Sequence, residues 1–69
     1  MAGRITGTVK FFAGPKGYGF ITLDSGRDLW MHITQWVEDD DPVAGDRVSC
    51  LEGTGHKGPV ARQVMRVRA

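Results

Sequence analysis

The stretch Lys16-Gly17-Tyr18-Gly19-Phe20-Ile21-Thr22-Leu23 decides the reading of this chain. In an extended backbone, successive side chains point to opposite sides. Tyr18, Phe20 and Thr22 therefore share one face, and Gly17, Gly19, Ile21 and Leu23 take the other. Glycine weakens a strand interior, and a strand built only for packing would carry Val or Ile at those positions. The glycines read as a sign that this strand is shaped for something besides packing, with nothing bulky on the strand to crowd the two rings.

The same period-two pattern recurs on both sides, and no segment repeats apolar residues at helical spacing over three turns. Strand one is predicted from Arg4 to Phe12, stopping at Ala13-Gly14-Pro15. Strand two runs from Gly17 to Leu23 and ends in the turn Asp24-Ser25-Gly26-Arg27, and strand three is Asp28 to Ile33. Strand four is Arg47 to Glu52. Strand five begins near Pro59, after the glycine-rich turn Gly53 to Gly58, and runs to Arg66 or Arg68. Thr34-Gln35-Trp36 reads as one helical turn, with Trp36 capping the barrel end. Glu38-Asp39-Asp40-Asp41-Pro42 reads as a solvated loop, because adjacent like charges repel. Alternation falters at Leu51 and Glu52, and again between Val64 and Val67. Short antiparallel strands with frequent turns predict a five-stranded antiparallel barrel, since closing the sheet removes its edges.

A chain of 69 residues, 41% hydrophobic and 25% charged, suits one small folded domain over residues 1–69 rather than a disordered segment. Its single cysteine, Cys50, excludes an internal disulfide and reads as a small buried hydrophobe. Cys50 with His32 and His56 does not make a zinc set, and the acidic run lacks the spaced oxygen ligands of a calcium loop. No nucleophile–base–acid set is visible, so neither enzyme, cofactor nor metal is expected. No apolar run is long enough to span a membrane and no apolar leader is present, so a cytoplasmic location is the expectation. The net charge of +1 conceals a segregation. Arg4, Lys10 and Lys16 precede all eight acids, which lie between Asp24 and Glu52, and Lys57, Arg62, Arg66 and Arg68 follow them. Were the two ends of the chain side by side, they would make one basic face.

Strand three places Leu29, Met31 and Ile33 toward the core and Trp30 and His32 on the face of Tyr18 and Phe20. Strand one adds Phe11 and Phe12, of which one faces out under alternation, or both if a bulge intervenes. Several rings on one sheet face, bordered by Lys10, Lys16 and Lys57, suit single-stranded nucleic acid. Unpaired bases expose π faces for stacking, and lysines at the rim neutralise phosphate. Duplexes hide their base faces. The plain alternative for Tyr18, Phe20 and Trp30 is ordinary core, and for the lysines it is solubilising charge.

These segments also resemble a family. Lys16-Gly17-Tyr18-Gly19-Phe20-Ile21 is similar to the first ribonucleoprotein motif of the cold-shock domain, with Tyr where Phe is usual. Gly7-Thr8-Val9-Lys10-Phe11-Phe12 resembles the strand before it, with Phe11 at the usual Trp. Asp28-Leu29-Trp30-Met31-His32-Ile33 resembles the second motif, and Lys57-Gly58-Pro59-Val60-Ala61 the start of the last strand. The likeness spans about residues 3–67, with the motifs in the family's order.

The resemblance implies an all-β OB-fold barrel that binds single-stranded RNA and DNA, acts as an RNA chaperone and affects transcription or translation. By matching position it implies contacts at Lys10, Phe11, Lys16, Tyr18, Phe20, Trp30, His32 and Lys57, with Phe12 and His56 as further candidates. Ile33 stands where the family usually has another stacking aromatic, and the loop after Trp36 is shorter and acidic. Weaker or more salt-sensitive binding is expected from these departures, partly offset by Arg62, Arg66 and Arg68. A monomer is expected, with a strand-exchanged dimer as the alternative. The competing reading is an OB-fold module for a protein or oligosaccharide, which would bind without salt dependence.

Overall fold

A computed structural model describes residues 3–56 and 58–67. Its strands are β1 (Ile5–Ala13), β2 (Tyr18–Leu23), β3 (Asp28–His32), β4 (Arg47–Gly55) and β5 (Gly58–Arg66). They close into a barrel in the order β1-β2-β3-β5-β4. Four of the pairings are antiparallel, as expected. The fifth, which closes the barrel between β3 and β5, is parallel and pairs Trp30 with Val60. The sheet is thus mixed at its closing seam, because β5 must leave the β4 hairpin and still reach the free edge of β3.

Alternation on β2 and β3 is as read: Ile21, Leu23, Leu29 and Met31 are buried, while Tyr18, Phe20, Trp30 and His32 stay partly exposed on the other face. The core adds Val9, Val48, Cys50, Ala61, Val64 and Trp36. Burying a side chain the size of Val, Leu, Ile or Met contributes about 1.5–3 kcal/mol, so this cluster is the main driving force for closure. Ile33 and Phe12 pack against it from the rim.

Two bulges set which residues face where. On β1, Val9 pairs with Ile21 and Phe11 with Phe20, so Lys10 is an extra residue on β1. The backbone of Val9 is held from the other side, donating to Asp46 O at 2.9 Å and accepting from Gly45 N–H at 2.9 Å. On β5, Gln63 and Val64 together oppose Cys50, since Ser49 pairs with Met65 and Leu51 with Arg62. This extra residue is why Ala61 and Val64 are both buried although three apart. Gln63 takes the left-handed conformation at φ 49°, held by Gln35 Oε1 on its N–H at 3.3 Å and by Arg4 on its carbonyl.

Several local expectations are corrected. β4 continues through Gly53, Thr54 and Gly55, which were read as a turn, and the β4–β5 connection is correspondingly tight. Gly14–Lys16 forms a 3-10 turn, and the turn expected at Thr34 to Trp36 lies over Ile33–Gln35. Gly19 faces the interior, where a Cβ would come within 2.8 Å of Phe12 Cα. The glycine there is a requirement of close packing between β1 and β2, not a device that clears space beside the rings.

The acidic loop is not simply solvated. Arg66 gathers it, with its backbone N–H donating to Glu38 Oε2 at 3.0 Å, Nη1 to Asp40 Oδ1 at 2.6 Å and Nη2 to the carbonyl of Asp41 at 3.2 Å. Its Nε also donates to Asp46 at 3.1 Å, and the guanidinium lies 5.1 Å from the centroid of Trp36. Trp36 is buried and donates its indole N–H to the carbonyl of Asp40. It belongs to the buried core and bridges to Val64 of β5.

Candidate nucleic-acid interface

The β1 bulge creates the ring array. Without the bulge at Lys10, alternation from Val9 would turn Phe11 inward against Gly19. With it, Phe11 stands beside Phe20, ring centroids 5.5 Å apart and planes at 47°. Phe11 is 42% exposed, whereas Phe12, opposite Gly19, packs toward the core. Only one of the two phenylalanines therefore joins the outer face.

On the neighbouring strands, Phe20 pairs with Trp30 and Tyr18 with His32. Trp30 lies 6.2 Å from Tyr18 and 5.6 Å from His32, centroid to centroid. The tilted, partly exposed rings thus fall into two groups, Phe11–Phe20 and Tyr18–Trp30–His32, on the outer face of β1, β2 and β3. Such offset geometries suit aromatic packing, and the exposed faces remain open for further stacking.

The Nδ1 of His32 is held by Thr34: it accepts the backbone N–H at 3.2 Å, capping the 3-10 turn, and lies 2.9 Å from the Thr34 hydroxyl.

The cations differ in availability. Lys10, which follows inward-facing Val9 and points outward, pairs with Asp28 at 3.2 Å. The Asp28 carboxyl is held below its ordinary value by the hydroxyl of Thr22, which donates at 2.9 Å, and by Lys10. Lys16 is exposed and makes no hydrogen bond or ion pair with the described residues. Lys57 and Arg68 lie outside the described residues.

Among the described residues, the basic side chains of the two chain ends are not all free to form one basic face. β5 lies between β3 and β4, away from β1. Arg4 is spent on Ser49 and Gln63, and Arg66 on the acidic loop. Arg66 thus offsets that loop's charge by pairing with it directly and is not free to contact phosphate.

Beside Trp30 and His32 lies a groove of about 470 Å³, also lined by Gln35, His56, Val60 and Arg62. From the sequence, Arg62 is expected only to help offset weaker binding together with Arg66 and Arg68, and Gln35 and Val60 carry no signal. Their placement depends on the parallel β3–β5 seam, which no local pattern reveals.

The model of the 'Cold-shock' DNA-binding domain family matches residues 5–67. The chain belongs to the cold-shock domain family. It is 42% identical over 66 residues to cold shock protein CapB of Pseudomonas syringae pv. tomato, covering 93% of this chain and 96% of that one. It is 41% identical over 69 residues to the major cold shock protein CspA of Pseudomonas aeruginosa, covering 97% of this chain and all of that one. In fold it resembles the solved structure described as drosophila Unr CSD456, with a TM-score of 0.81 at 18% identity. That match covers 96% of this chain and 27% of the longer one. Cold-shock domains are a nucleic-acid-binding, non-enzymatic family with the OB-fold barrel found here. Among the described residues of this cold-shock domain, no helix is long and apolar enough to cross a membrane.

Proposed function

We propose that this cold-shock domain binds single-stranded RNA or DNA by stacking unpaired bases on Phe11, Tyr18, Phe20, Trp30 and His32. Lys10 and Lys16 neutralise phosphates at the rim, and Lys57 keeps the same assignment from its place in the sequence motif. The observation that carries this reading is the array of contacting, partly exposed rings across three strands. A barrel that needed these rings only for its core would have turned them inward, as it does Ile21, Leu29 and Met31.

No covalent step is involved. Each stacked base contributes about 1–3 kcal/mol, and lysine–phosphate contacts add a salt-dependent term. A protein that binds only the open form of a hairpin shifts its equilibrium by mass action, without a nucleotide cofactor. This supports the role of a cytoplasmic RNA chaperone or a regulator of transcription or translation, acting as a monomeric domain.

The direct test uses a short hairpin carrying a fluorophore and a quencher at its ends. Added protein should raise the open fraction at low salt and lose that effect as salt increases. A hairpin that stays closed while the protein binds an oligosaccharide or protein independently of salt would favour the other OB-fold reading.

A further inference from the structure

The groove beside Trp30 and His32 has donors arranged for reading a base rather than only stacking it. In the parallel seam, Trp30 pairs with Val60. Two residues further along each strand, on the same face, are His32 and Arg62, and both line the groove. Arg62 is exposed and makes no hydrogen bond or ion pair with the described residues. Its stem has a defined seat. A Cβ on Gly53 would come within 3.1 Å of Arg62 Cγ and closer still to Cδ, so the side chain lies across the bare backbone of β4. That seat explains why β4 carries glycine at a strand position.

The polar groups at the groove are mostly donors. The guanidinium offers a planar fork of N–H groups. His32 has its Nδ1 engaged by Thr34, so Nε2 is the ring nitrogen left to meet a base. Gln35 has its carbonyl oxygen engaged with the N–H of Gln63, which leaves its amide N–H₂ as the remaining group. A volume of about 470 Å³ is within the range of small-ligand pockets, and Trp30 and Val60 supply apolar wall. Guanine offers two adjacent acceptors, O6 and N7, spaced for a guanidinium fork, whereas adenine places a donor beside N7. Unpaired bases expose that edge to a protein.

We propose that Arg62, seated on Gly53, reads a guanine in this groove and gives the domain a preference that stacking alone does not. The proposal rests on the reading that the aromatic face binds single strands.

The test compares dAGAGAG with dAAAAAA, and with dAGAGAG in which 7-deazaguanine replaces guanine, at one salt concentration. Alternation lets either register place a guanine in the groove. The protein should bind dAGAGAG about tenfold more tightly than dAAAAAA, and 7-deazaguanine should remove most of that gain. Arg62→Ala should abolish the gain, weakening binding of dAGAGAG about tenfold more than that of dAAAAAA. Arg62→Lys keeps the charge but lacks the fork, and Gly53→Ala keeps Arg62 but displaces its stem, so both should also lose most of the gain. Equal weakening of all three oligonucleotides by Arg62→Ala would make Arg62 a phosphate contact and overturn the proposal. So would equal binding of dAGAGAG and dAAAAAA by the unaltered protein, with stacking on the face intact. Failure to bind any of the oligonucleotides would refute the single-strand reading itself, and this proposal with it.

Discussion

Phe11 stands beside Phe20 across β1 and β2, centroids 5.5 Å apart, because Lys10 is an extra residue on β1. The bulge thus turns outward a ring that alternation would bury, and sets it beside Lys10, which alternation from Val9 already points outward. Bulges recur where a strand must re-aim a side chain. The energetic burden of exposing Phe11 is carried by the core on the opposite face, where Val9, Ile21 and Leu29 are fully enclosed.

If Phe20 is a binding surface and not core, Phe20→Ala should weaken single-strand binding by about 1–3 kcal/mol. Thermal unfolding of the variant should stay close to that of the parent. A large drop in melting temperature with unchanged affinity per folded molecule would assign the ring to packing.

Binding should weaken with salt. Neutralising three to four phosphates predicts a slope of log K against log salt of about −2 to −3 on a single strand. Lys16→Gln should reduce the magnitude by about 0.7, since Lys16 has no competing partner among the described residues. Lys10 must leave Asp28 to contact phosphate, so Lys10→Gln should change affinity less than Lys16→Gln.

Much of this arrangement is legible in the sequence, and the rest is hidden for physical reasons. The opposition of Tyr18 and Phe20 to Ile21 and Leu23 is local, so alternation reveals it. The broken alternation near Val64 was a true signal of the bulge at Gln63, visible once Ala61 and Val64 are both found inside. The length of β4 was concealed because Gly53 and Gly55 look like turn residues. Gly53 is explained only by the Arg62 stem that lies over it. The acidic run suggested repulsion, and nothing near it in sequence announces that Arg66 will come across from β5 to bind it. The parallel seam between β3 and β5 is a property of closure and has no local signature.

Gln63 offers a test of the β5 bulge. A residue other than glycine in the left-handed region costs roughly 1–2 kcal/mol. Gln63→Gly keeps the backbone contacts and should stabilise the fold by up to about 1 kcal/mol, while Gln63→Val should destabilise it. Chemical denaturation measures both, and a destabilised Gln63→Gly would contradict the role given to this φ angle.

Arg66 should be a stability residue and not a binding residue. It is only 24% exposed and joins Glu38, Asp40, Asp41, Asp46 and Trp36. Arg66→Ala should lower the midpoint of chemical denaturation, because the acidic loop and Trp36 lose their shared partner. Single-strand affinity of the folded variant should change little.

Stability should also fall in acid. Asp24 is lowered from an ordinary 3.8 to about 2, first by hydrogen bonding from Arg47 at 2.7 Å and then from Thr6. A carboxyl with a depressed folded pKa stabilises the fold above its unfolded value, and that contribution disappears as pH falls through the folded one. Asp24 should therefore contribute fully above about pH 4 and lose its contribution between 3.8 and about 2. Asp28 shifts in the same direction. In Asp24→Asn the acid-side decline of stability should be shallower, as followed by urea midpoints against pH.

The central claim is that unpaired bases stack on the outer face at Trp30. Tryptophan fluorescence during titration with a short oligothymidine, and then with a matched duplex, tests it most directly. Trp36→Phe leaves Trp30 as the only indole. The account predicts strong quenching by the single strand and little by the duplex. An unchanged Trp30 signal with both ligands at low salt, in a variant still folded by circular dichroism, would contradict it.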